Sequence, residues 1–457
     1  MSGPPYPGMN ASIAESRKFL LIGAASAVIA FEPVLALPVL IAILVWWTFL
    51  APTRWLVVFF FLALLTPPLP FPVGDAGLNL APFAAGLGVL VGAIRLREWS
   101  GTHSPIQPVL LLFIAILAVS SGIGALYSGL SAGAGSLART LLFAVSGYVF
   151  VYALRGPSGS SKRILKFLFF AALAGAAFAC IDYYFQFPAP AGFEAQFVWL
   201  DEGVFRRAQG LFYEASTLGN FCAFFLVMTL IALFRSDDER QFSKPLLIAG
   251  ALVFTPALIL SYSRASVLTV LIAGLAFMTM RKVRIGRVLA IGASGSVAAA
   301  LLVRAFVPSF FASYWARLAG TVQNFSYAPN QMLSGRLANW QALGSFLVAH
   351  PWHALVGIGY KTLPYSDFAG SHIIADNTWL SLLVETGIIG LGCFVALNAA
   401  ILRVSFRSAR QGNFYGQWIF CFWTGEVIQM FSGDLITYWR VLPVYFWVLG
   451  TALRETV

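Results

Sequence analysis

Residues 105–127 read PIQPVLLLFIAILAVSSGIGALY, an apolar run without a charged side chain. A helix needs about 20 apolar residues to cross the hydrocarbon core of a bilayer, where every backbone polar group must find its partner inside the helix. Comparable runs of about 15 to 25 residues, separated by short polar segments, recur along the chain of 457 residues. This pattern predicts an all-α polytopic membrane protein.

The amino-acid composition supports the same class. Hydrophobic residues make up 59% of the chain, charged residues 10%, and the mean hydropathy is +0.81, whereas about a quarter of the residues of a soluble domain are charged. The formal net charge of +11 would indicate nucleic-acid binding in a soluble protein. In a membrane protein the Lys and Arg excess of cytoplasmic loops accounts for it, so no nucleic-acid partner is expected.

The apolar runs predict about 14 membrane-spanning helices, within a range of roughly 12 to 14. Placing both termini in the cytoplasm puts about 20 of the 29 Lys and Arg residues in cytoplasmic loops, as the positive-inside rule requires. The predicted spans are 18–31, 34–50, 55–72, 78–95, 105–127, 138–154, 164–187, 214–235, 246–262, 265–280, 288–306, 377–402, 414–432 and 440–454.

Two outer segments, 188–213 and 307–376, are longer than ordinary connections, and long loops in compact proteins usually carry function. We therefore divide the chain into three parts. An N-terminal transmembrane bundle at 1–187 precedes a transmembrane core at 188–402, which holds both loops and the candidate catalytic residues. A C-terminal transmembrane hairpin at 403–457 completes the chain.

Within the longer loop, SGRLANWQALGSFLVAH at 334–350 has the pattern of an amphipathic helix. Ser334 is the expected N-cap, and an apolar stripe follows at helical spacing. Such a helix would lie on the membrane surface or on the outer face of the bundle. The stripe consists of Leu337, Trp340, Leu343, Phe346 and Leu347.

Four of the arginines in outer segments, where the positive-inside rule does not favour them, suggest a binding site. Arg336 begins the amphipathic helix, and the helix dipole disfavours a cation there unless an anion is bound as well. Arg264 lies in the SYSRAS turn, and Arg206 and Arg207 lie in the shorter loop. Together they predict a cationic site at headgroup depth, for which diphosphate lipids are the corresponding ligand class.

Each of these arginines also has an ordinary explanation. Arg264 can extend to lipid headgroups, and Arg336 can be a solvated surface residue. Arg206 and Arg207 can form ion pairs with Asp201 or Glu202 in the same loop.

Two carboxylates and one histidine lie in the outer segments or at their ends. Glu214 and Asp376 each stand at the start of a predicted span, where a carboxylate also stabilises the positive end of the helix. Asp376 or Asn377 can equally serve as the N-cap of that span. His372 reaches the same place only if the loop folds back. The four histidines are scattered without metal-ligand spacing, and neither a metal nor a cofactor is expected.

Four stretches, in order along the chain, resemble the O-antigen ligase and polysaccharide polymerase superfamily of bacterial inner membranes. The first stretch matches an Arg before Gly-x-Phe, and the second matches a Ser-Arg turn. The third matches a Ser-Gly-Arg helix followed by Pro and Gly-x-Gly. The fourth matches an Asn-x-x-Leu segment that opens a span with Glu-Thr-Gly. The stretches are RRAQGLFYEASTLGNF (206–221), SYSRAS (261–266), SGRLANWQALGSFLVAHPWHALVGIGY (334–360) and DNTWLSLLVETGIIGLGCF (376–394). The resemblance covers residues 200–400 well, whereas the N-terminal half matches only in being apolar.

The resemblance implies metal-independent glycosyl transfer by a protein similar to the membrane-embedded GT-C glycosyltransferases. A glycan on undecaprenyl diphosphate would move to a glycan acceptor on the periplasmic face, with the lipid diphosphate as leaving group. The 307–376 loop, which precedes the last three spans, would then be periplasmic. A chain-length regulator or export proteins are candidate partners besides the donor, the acceptor and the bilayer.

Residue by residue, the resemblance assigns the diphosphate to Arg264 and Arg336, and the acceptor or phosphate to Arg206 or Arg207. Asn377 matches the Asn of the fourth motif. The chain departs from the family at Asp376, where the ligases have a His that acts as general base. The resemblance thus makes Asp376 a candidate base, with Glu214 as a second candidate and His372 as a substitute only if the loop folds back.

The resemblance leaves polymerase and ligase open. The Glu of FYEAS favours a polymerase that joins lipid-linked repeat units, although Ala215 stands where exopolysaccharide polymerases often have Pro. The alternative is a ligase that transfers a finished glycan to lipid A core or another acceptor. A flippase or exporter of lipid-linked oligosaccharides is the less favoured class, because polar groups concentrate in the outer loops and we see no internal repeat of the alternating-access kind.

Overall fold

The computed structural model describes much of the chain, and its two compact units are Met1–Val58 and Phe59–Val457. Helix α1 (Pro52–Leu65) crosses the boundary between them. The described residues are 45–46, 52–67, 69–73, 76–78, 80–94, 104–156, 159–189, 193–200, 203–281, 304–305, 308–327, 335–366 and 373–455.

Helices form most of the described part of the second unit. In chain order they are α2 (Ala81–Ile94), α3 (Gln107–Ser128), α4 (Leu130–Arg155), α5 (Ser160–Phe185), α6 (Ala215–Leu233), α7 (Lys244–Leu260), α8 (Arg264–Met280), α9 (Pro308–Tyr327), α10 (Arg336–Ala349), α11 (Pro351–Val356), α12 (Thr378–Arg410), α13 (Phe414–Gln429) and α14 (Leu442–Arg454).

Five of the described helices are long and apolar enough to cross a membrane: α3, α4, α5, α6 and α12. Shorter apolar helices occur at Arg54–Leu65, Ala81–Ala93, Lys244–Leu260 and Arg264–Met280. The prediction of a mostly helical membrane protein is therefore confirmed. The predicted spans 18–31, 34–50 and 288–306 lie outside the described residues, apart from the helical pairs 45–46 and 304–305.

Two short hairpins depart from a purely helical chain. Strands β1 (Leu69–Val73) and β2 (Ala76–Leu78) pair antiparallel, as do β3 (Phe197–Leu200) and β4 (Gly203–Arg206). The first hairpin shows that the predicted span 55–72 is wrong in its last turns, because α1 ends at Leu65. The following TPPLPFP segment explains this end, since Pro lacks the N–H that a helix needs and clashes with the preceding turn.

An aromatic cluster lies at the centre of the bundle, between α6, α13 and α14. The Phe224 ring lies 4.3 Å from the rings of both Trp418 and Tyr445, and the Trp418 indole N–H donates to the Phe224 carbonyl at 2.8 Å. Aromatic pairs at such distances stabilise beyond their buried area. This cluster therefore holds α6, α13 and α14 together.

Residues predicted on the same side of the membrane meet at the same end of the bundle. At one end, Arg454 donates to the Gly156 carbonyl at 2.7 Å. At the other, Arg440 donates to the carbonyls of Ala63 and Leu211, both at 2.6 Å, and of Thr66 at 3.0 Å. The second end also carries the candidate site.

Candidate functional site

The RRAQG and SYSRAS motifs meet at one point of the fold. Arg207 Nε donates to the Ser261 carbonyl at 2.8 Å, and the Ala208 amide donates to the Leu260 carbonyl at 2.9 Å. Gly219 in α6 permits this approach, because a Cβ there would lie 2.7 Å from Ser261 Oγ. The first loop is thus bound to the turn that carries the Ser-Arg motif.

Three arginines from separate segments converge beside this turn. Burial lowers the pKa of Arg207 to about 10. The Glu214 carboxylate opposes that shift, whereas the positive charges of Arg336 and Arg264 add to it. Because charge interactions weaken with distance and are screened by solvent, these mutual effects indicate that the three arginines form one electrostatic cluster.

Arg206 lies apart from this cluster. Its guanidinium forms an ion pair with Asp182 at 3.2 Å and donates to the Phe187 carbonyl at 2.9 Å. Both ionic side chains are almost buried, at 10% and 8% exposure. Of the two adjacent arginines, Arg207 therefore belongs to the cluster with Arg264 and Arg336, while Arg206 ties β4 to α5. The other candidate partners, Asp201 and Glu202, lie outside the described residues.

Arg336 is the first residue of α10 and contacts Asp376. Its Nε lies 3.2 Å from Asp376 Oδ2, and the side chains are 27% and 49% exposed. The predicted N-cap is wrong, because Gly335 caps α10 with φ 83°, a left-handed conformation that glycine adopts without steric cost. Ser334 lies outside the described residues.

The apolar stripe of α10 packs on protein. Leu343 is buried in a cluster with Ile358 and Val384, and Phe346 and Leu347 pack against it. This contact joins α10 to the loop after α11 and to α12.

Two hydrogen bonds hold the segment before α12 against α10. The Trp340 indole N–H donates to the Ala375 carbonyl at 2.7 Å, and the Asn339 amide donates to the Ile374 carbonyl at 3.1 Å. Asp376 is thereby brought to the start of α10.

The helix cap and the candidate acid are two neighbouring residues, Asn377 and Asp376. Asn377 is the N-cap of α12, since its side-chain oxygen accepts from the Leu380 amide at 3.1 Å. Asp376 has φ 44°, a conformation that Asp and Asn adopt more readily than other non-glycine residues. His372 lies outside the described residues.

Glu214 occupies the N-cap position of α6 without capping it through its side chain. Its Oε2 instead accepts from the Thr217 hydroxyl at 2.6 Å. Burial raises the pKa of Glu214, and the negative charges of Asp434 and Asp376 raise it further, although Thr217 and Arg207 act in the opposite direction. A carboxylate with a raised pKa is a better proton acceptor.

A kink in α12 connects the Glu-Thr-Gly motif to the Gly-x-Gly motif. Gly387 has φ 68° inside the helix. The carbonyls of Val384 and Glu385 accept from the amides of Ile358 at 3.1 Å and Gly359 at 3.0 Å. Backbone groups in this part of α12 are thus paired with the loop after α11, which positions Glu385 at the same end of the bundle as the arginines.

Lys361, Glu385 and Asp434 form a polar group next to the site. Lys361 Nζ donates to Asp434 Oδ2 and lies 3.9 Å from Glu385 Oε2. Burial alone would lower the pKa of Lys361, but the two carboxylates outweigh it and the pKa is raised. Arg139 Nη1 donates a hydrogen bond to the Lys361 carbonyl at 2.9 Å.

Lys361, Glu385 and Asp434 were not predicted as site residues from the sequence. The sequence feature that could have identified them is the charged Glu385 inside an apolar run, because an ionisable residue within a membrane span needs a partner.

The family model described as O-Antigen ligase matches residues 249–395. The matched segment runs from α7 into α12 and contains Arg264, Arg336 and Asp376, three of the residues that the structure brings together. No curated protein matches the chain. This match at residues 249–395 supports the resemblance of the chain to the O-antigen ligase and polymerase superfamily.

Proposed function

We propose that the protein is a polysaccharide polymerase that joins undecaprenyl-diphosphate-linked repeat units on the periplasmic face of the bacterial inner membrane. The family supports glycosyl transfer of the ligase or polymerase type. The convergence of Arg207, Arg264 and Arg336 carries the proposal, because a cationic cluster suits a diphosphate leaving group. Both termini are cytoplasmic in this proposal, about 14 helices span the membrane, and the 307–376 loop is periplasmic.

The arginines stabilise the leaving group. As the bond between the anomeric carbon and the diphosphate oxygen breaks, the lipid diphosphate takes the electron pair and gains charge. Donors arranged beforehand around such charge commonly contribute several kcal/mol. The contact of Arg336 with Asp376 uses Nε, one of five N–H donors in a guanidinium, so phosphate oxygens can bind the others while the pair is kept.

Glu214 is the general base in this proposal. It takes the proton from the acceptor hydroxyl while that oxygen forms the new bond to the anomeric carbon, a contribution of typically 10²–10⁴-fold. Asp376 is the weaker candidate, because Arg336 Nε already donates to its Oδ2. Asp376 then holds Arg336 through their ion pair, and Asn377 caps α12.

The second candidate function is that of an O-antigen ligase, which the family description favours. A ligase would use the same arginines for the same lipid diphosphate and differ in its acceptor. Glu214 lies outside the matched segment. As the Glu of the FYEAS motif, it favours the polymerase.

Deletion of the gene, followed by analysis of lipid-linked intermediates, tests the proposal. A polymerase deletion accumulates single repeat units on the lipid carrier, whereas a ligase deletion accumulates long unligated chains. Intermediates held on the cytoplasmic leaflet would contradict both functions and indicate a transporter. Crosslinking in the native membrane would then identify a chain-length regulator or export protein bound to the polymerase.

A further inference from the structure

A cavity of about 440 Å³ opens beside the Arg336–Asp376 pair. Asp376 is part of its wall, so the cavity borders the Arg336–Asp376 ion pair. Lys361, Glu385 and Asp434 line it as well, together with the aromatic side chains of Tyr360 and Trp439. These last five residues have no role in the proposed glycosyl-transfer step.

Two carboxylate oxygens in this wall are unsatisfied. Glu385 is 2% exposed, and its Oε2 has no hydrogen-bond partner within the described part of the chain. The nearest cation, Lys361 Nζ, lies at 3.9 Å, beyond hydrogen-bond distance. Asp434 binds Lys361 through Oδ2, and its buried Oδ1 is likewise unpartnered among the described residues. Buried acceptors of this kind are costly, and a ligand with donors would satisfy them.

The charges of the wall favour a neutral ligand. Lys361 and Arg139 balance Glu385 and Asp434, while Asp376 is paired with Arg336. An anion would meet two acceptor oxygens, and an added cation would meet two positive side chains. A sugar ring fits this balance, because its hydroxyls donate to the open oxygens while its apolar faces contact aromatic side chains.

We propose that this cavity binds the acceptor sugar, whose ring hydroxyls donate to Glu385 Oε2 and Asp434 Oδ1. The assignment rests on the proposed function and adds a substrate subsite to it. Because Asp376 belongs to both the cavity wall and the Arg336 pair, a sugar bound here lies beside the diphosphate. This arrangement brings the acceptor hydroxyl to the anomeric carbon of the donor.

The test uses the full-length protein in lipid nanodiscs and a sugar that lacks the lipid diphosphate. Mild acid releases such an oligosaccharide from the lipid-linked material of the deletion strain, and calorimetry measures its binding. We expect saturable binding to the wild type and a Kd raised at least about tenfold in Glu385→Gln and Asp434→Asn, since hydrogen bonds to charged groups are the stronger ones. Trp439→Leu, which leaves the ion pairs intact, should weaken binding too and serves if either amide variant does not fold.

Two controls separate the subsite from a general effect. Glu426→Gln changes another buried carboxyl, which accepts from Asn220 at 2.6 Å and lies outside the cavity wall, so its Kd should equal that of the wild type. Arg264→Ala should bind the free oligosaccharide normally while losing polymer.

Absence of saturable binding to the wild type, or wild-type Kd values in Glu385→Gln, Asp434→Asn and Trp439→Leu, would overturn the subsite. If Arg264→Ala then still abolished polymer, the proposed function would stand without it. Polymer made by Arg264→Ala would instead count against the proposed function, whereas the weakened sugar binding of the cavity variants would still support the subsite.

Discussion

Arg336 and Asp376 form an ion pair of 3.2 Å between the first residue of α10 and the residue before the cap of α12. Both side chains are partly exposed, at 27% and 49%, and an exposed ion pair typically contributes about 0–1 kcal/mol. The pair therefore does little for stability. It joins the end of the long loop to the arginine cluster, where a ligand can reach both groups.

Arg264→Ala and Arg336→Ala should each abolish polymer while the amount of protein in the membrane stays normal. Each change removes a cation that we assign to the diphosphate, and neither guanidinium is fully buried. Immunoblots of membranes and gels of the cell's polysaccharide measure the two quantities. Arg281→Ala is the matched control, because Arg281 is exposed and contacts the Phe277 ring. Near-normal polymer from Arg264→Ala or Arg336→Ala refutes the assignment of that arginine.

Glu214→Gln should lower the transfer rate by roughly 10²–10⁴-fold, the usual contribution of a general base. Asp376→Asn should reduce it only a few-fold, because Asn377 supplies the cap and Asn tolerates the positive φ of this position. Transfer of isolated lipid-linked repeat units by protein in nanodiscs gives both rates. If Asp376→Asn is as inactive as Glu214→Gln, then Asp376 shares or holds the role of base.

The pH dependence of transfer follows from Glu214. A base must be deprotonated, so the rate should fall as pH drops through the pKa of Glu214, which burial raises above the usual value of about 4.3. The hydrogen bond from Thr217 lowers that pKa, and Thr217→Val should therefore move the acid limb to higher pH. A kcat–pH profile measures the shift. An unmoved limb in Thr217→Val would exclude Glu214 as the titrating group.

The sequence predicted several helices well, but it left the choice between Arg206 and Arg207 open. Long apolar runs specify spans whatever their neighbours are, so α3, α5 and α6 begin and end close to the predicted residues. The choice between Arg206 and Arg207 depended on a hairpin that was not predicted. Arg206 ends β4 and Arg207 follows it, and successive residues of an extended chain point to opposite sides, one to Asp182 and the other to Ser261.

Contacts between segments that are distant in the chain could not be predicted from the sequence. Lys361 and Asp434 lie far apart in the chain, and no local pattern pairs them. The turn that carries Asp434 is held at the start of α12, where the Thr378 amide and hydroxyl both bind the Gly433 carbonyl. Only the folded backbone brings this acid to the site.

Arg440 should behave unlike the arginines of the site. It is 6% exposed and donates to three carbonyls, those of Ala63, Thr66 and Leu211. Hydrogen bonds to a charged group contribute about 1.5–3 kcal/mol each, so Arg440→Met should destabilise the protein by about 3 kcal/mol or more. Thermal unfolding in detergent and immunoblots of membranes should show a lower midpoint and less protein. A stable Arg440→Met protein without activity would instead place Arg440 in the site.

Gly387→Ala should destabilise the fold through the kink of α12. Gly387 has φ 68°, and a Cβ on it would meet the Leu355 carbonyl. The conformation alone costs a non-glycine residue about 1–2 kcal/mol, and the close contact adds to that cost. Gly392→Ala is the control, because Gly392 lies in the same helix with open space around its Cβ position. There alanine should be neutral or stabilise by up to about 1 kcal/mol. Equal unfolding midpoints for the two variants would show that the kink does not require glycine, and that Glu385 is positioned by other contacts.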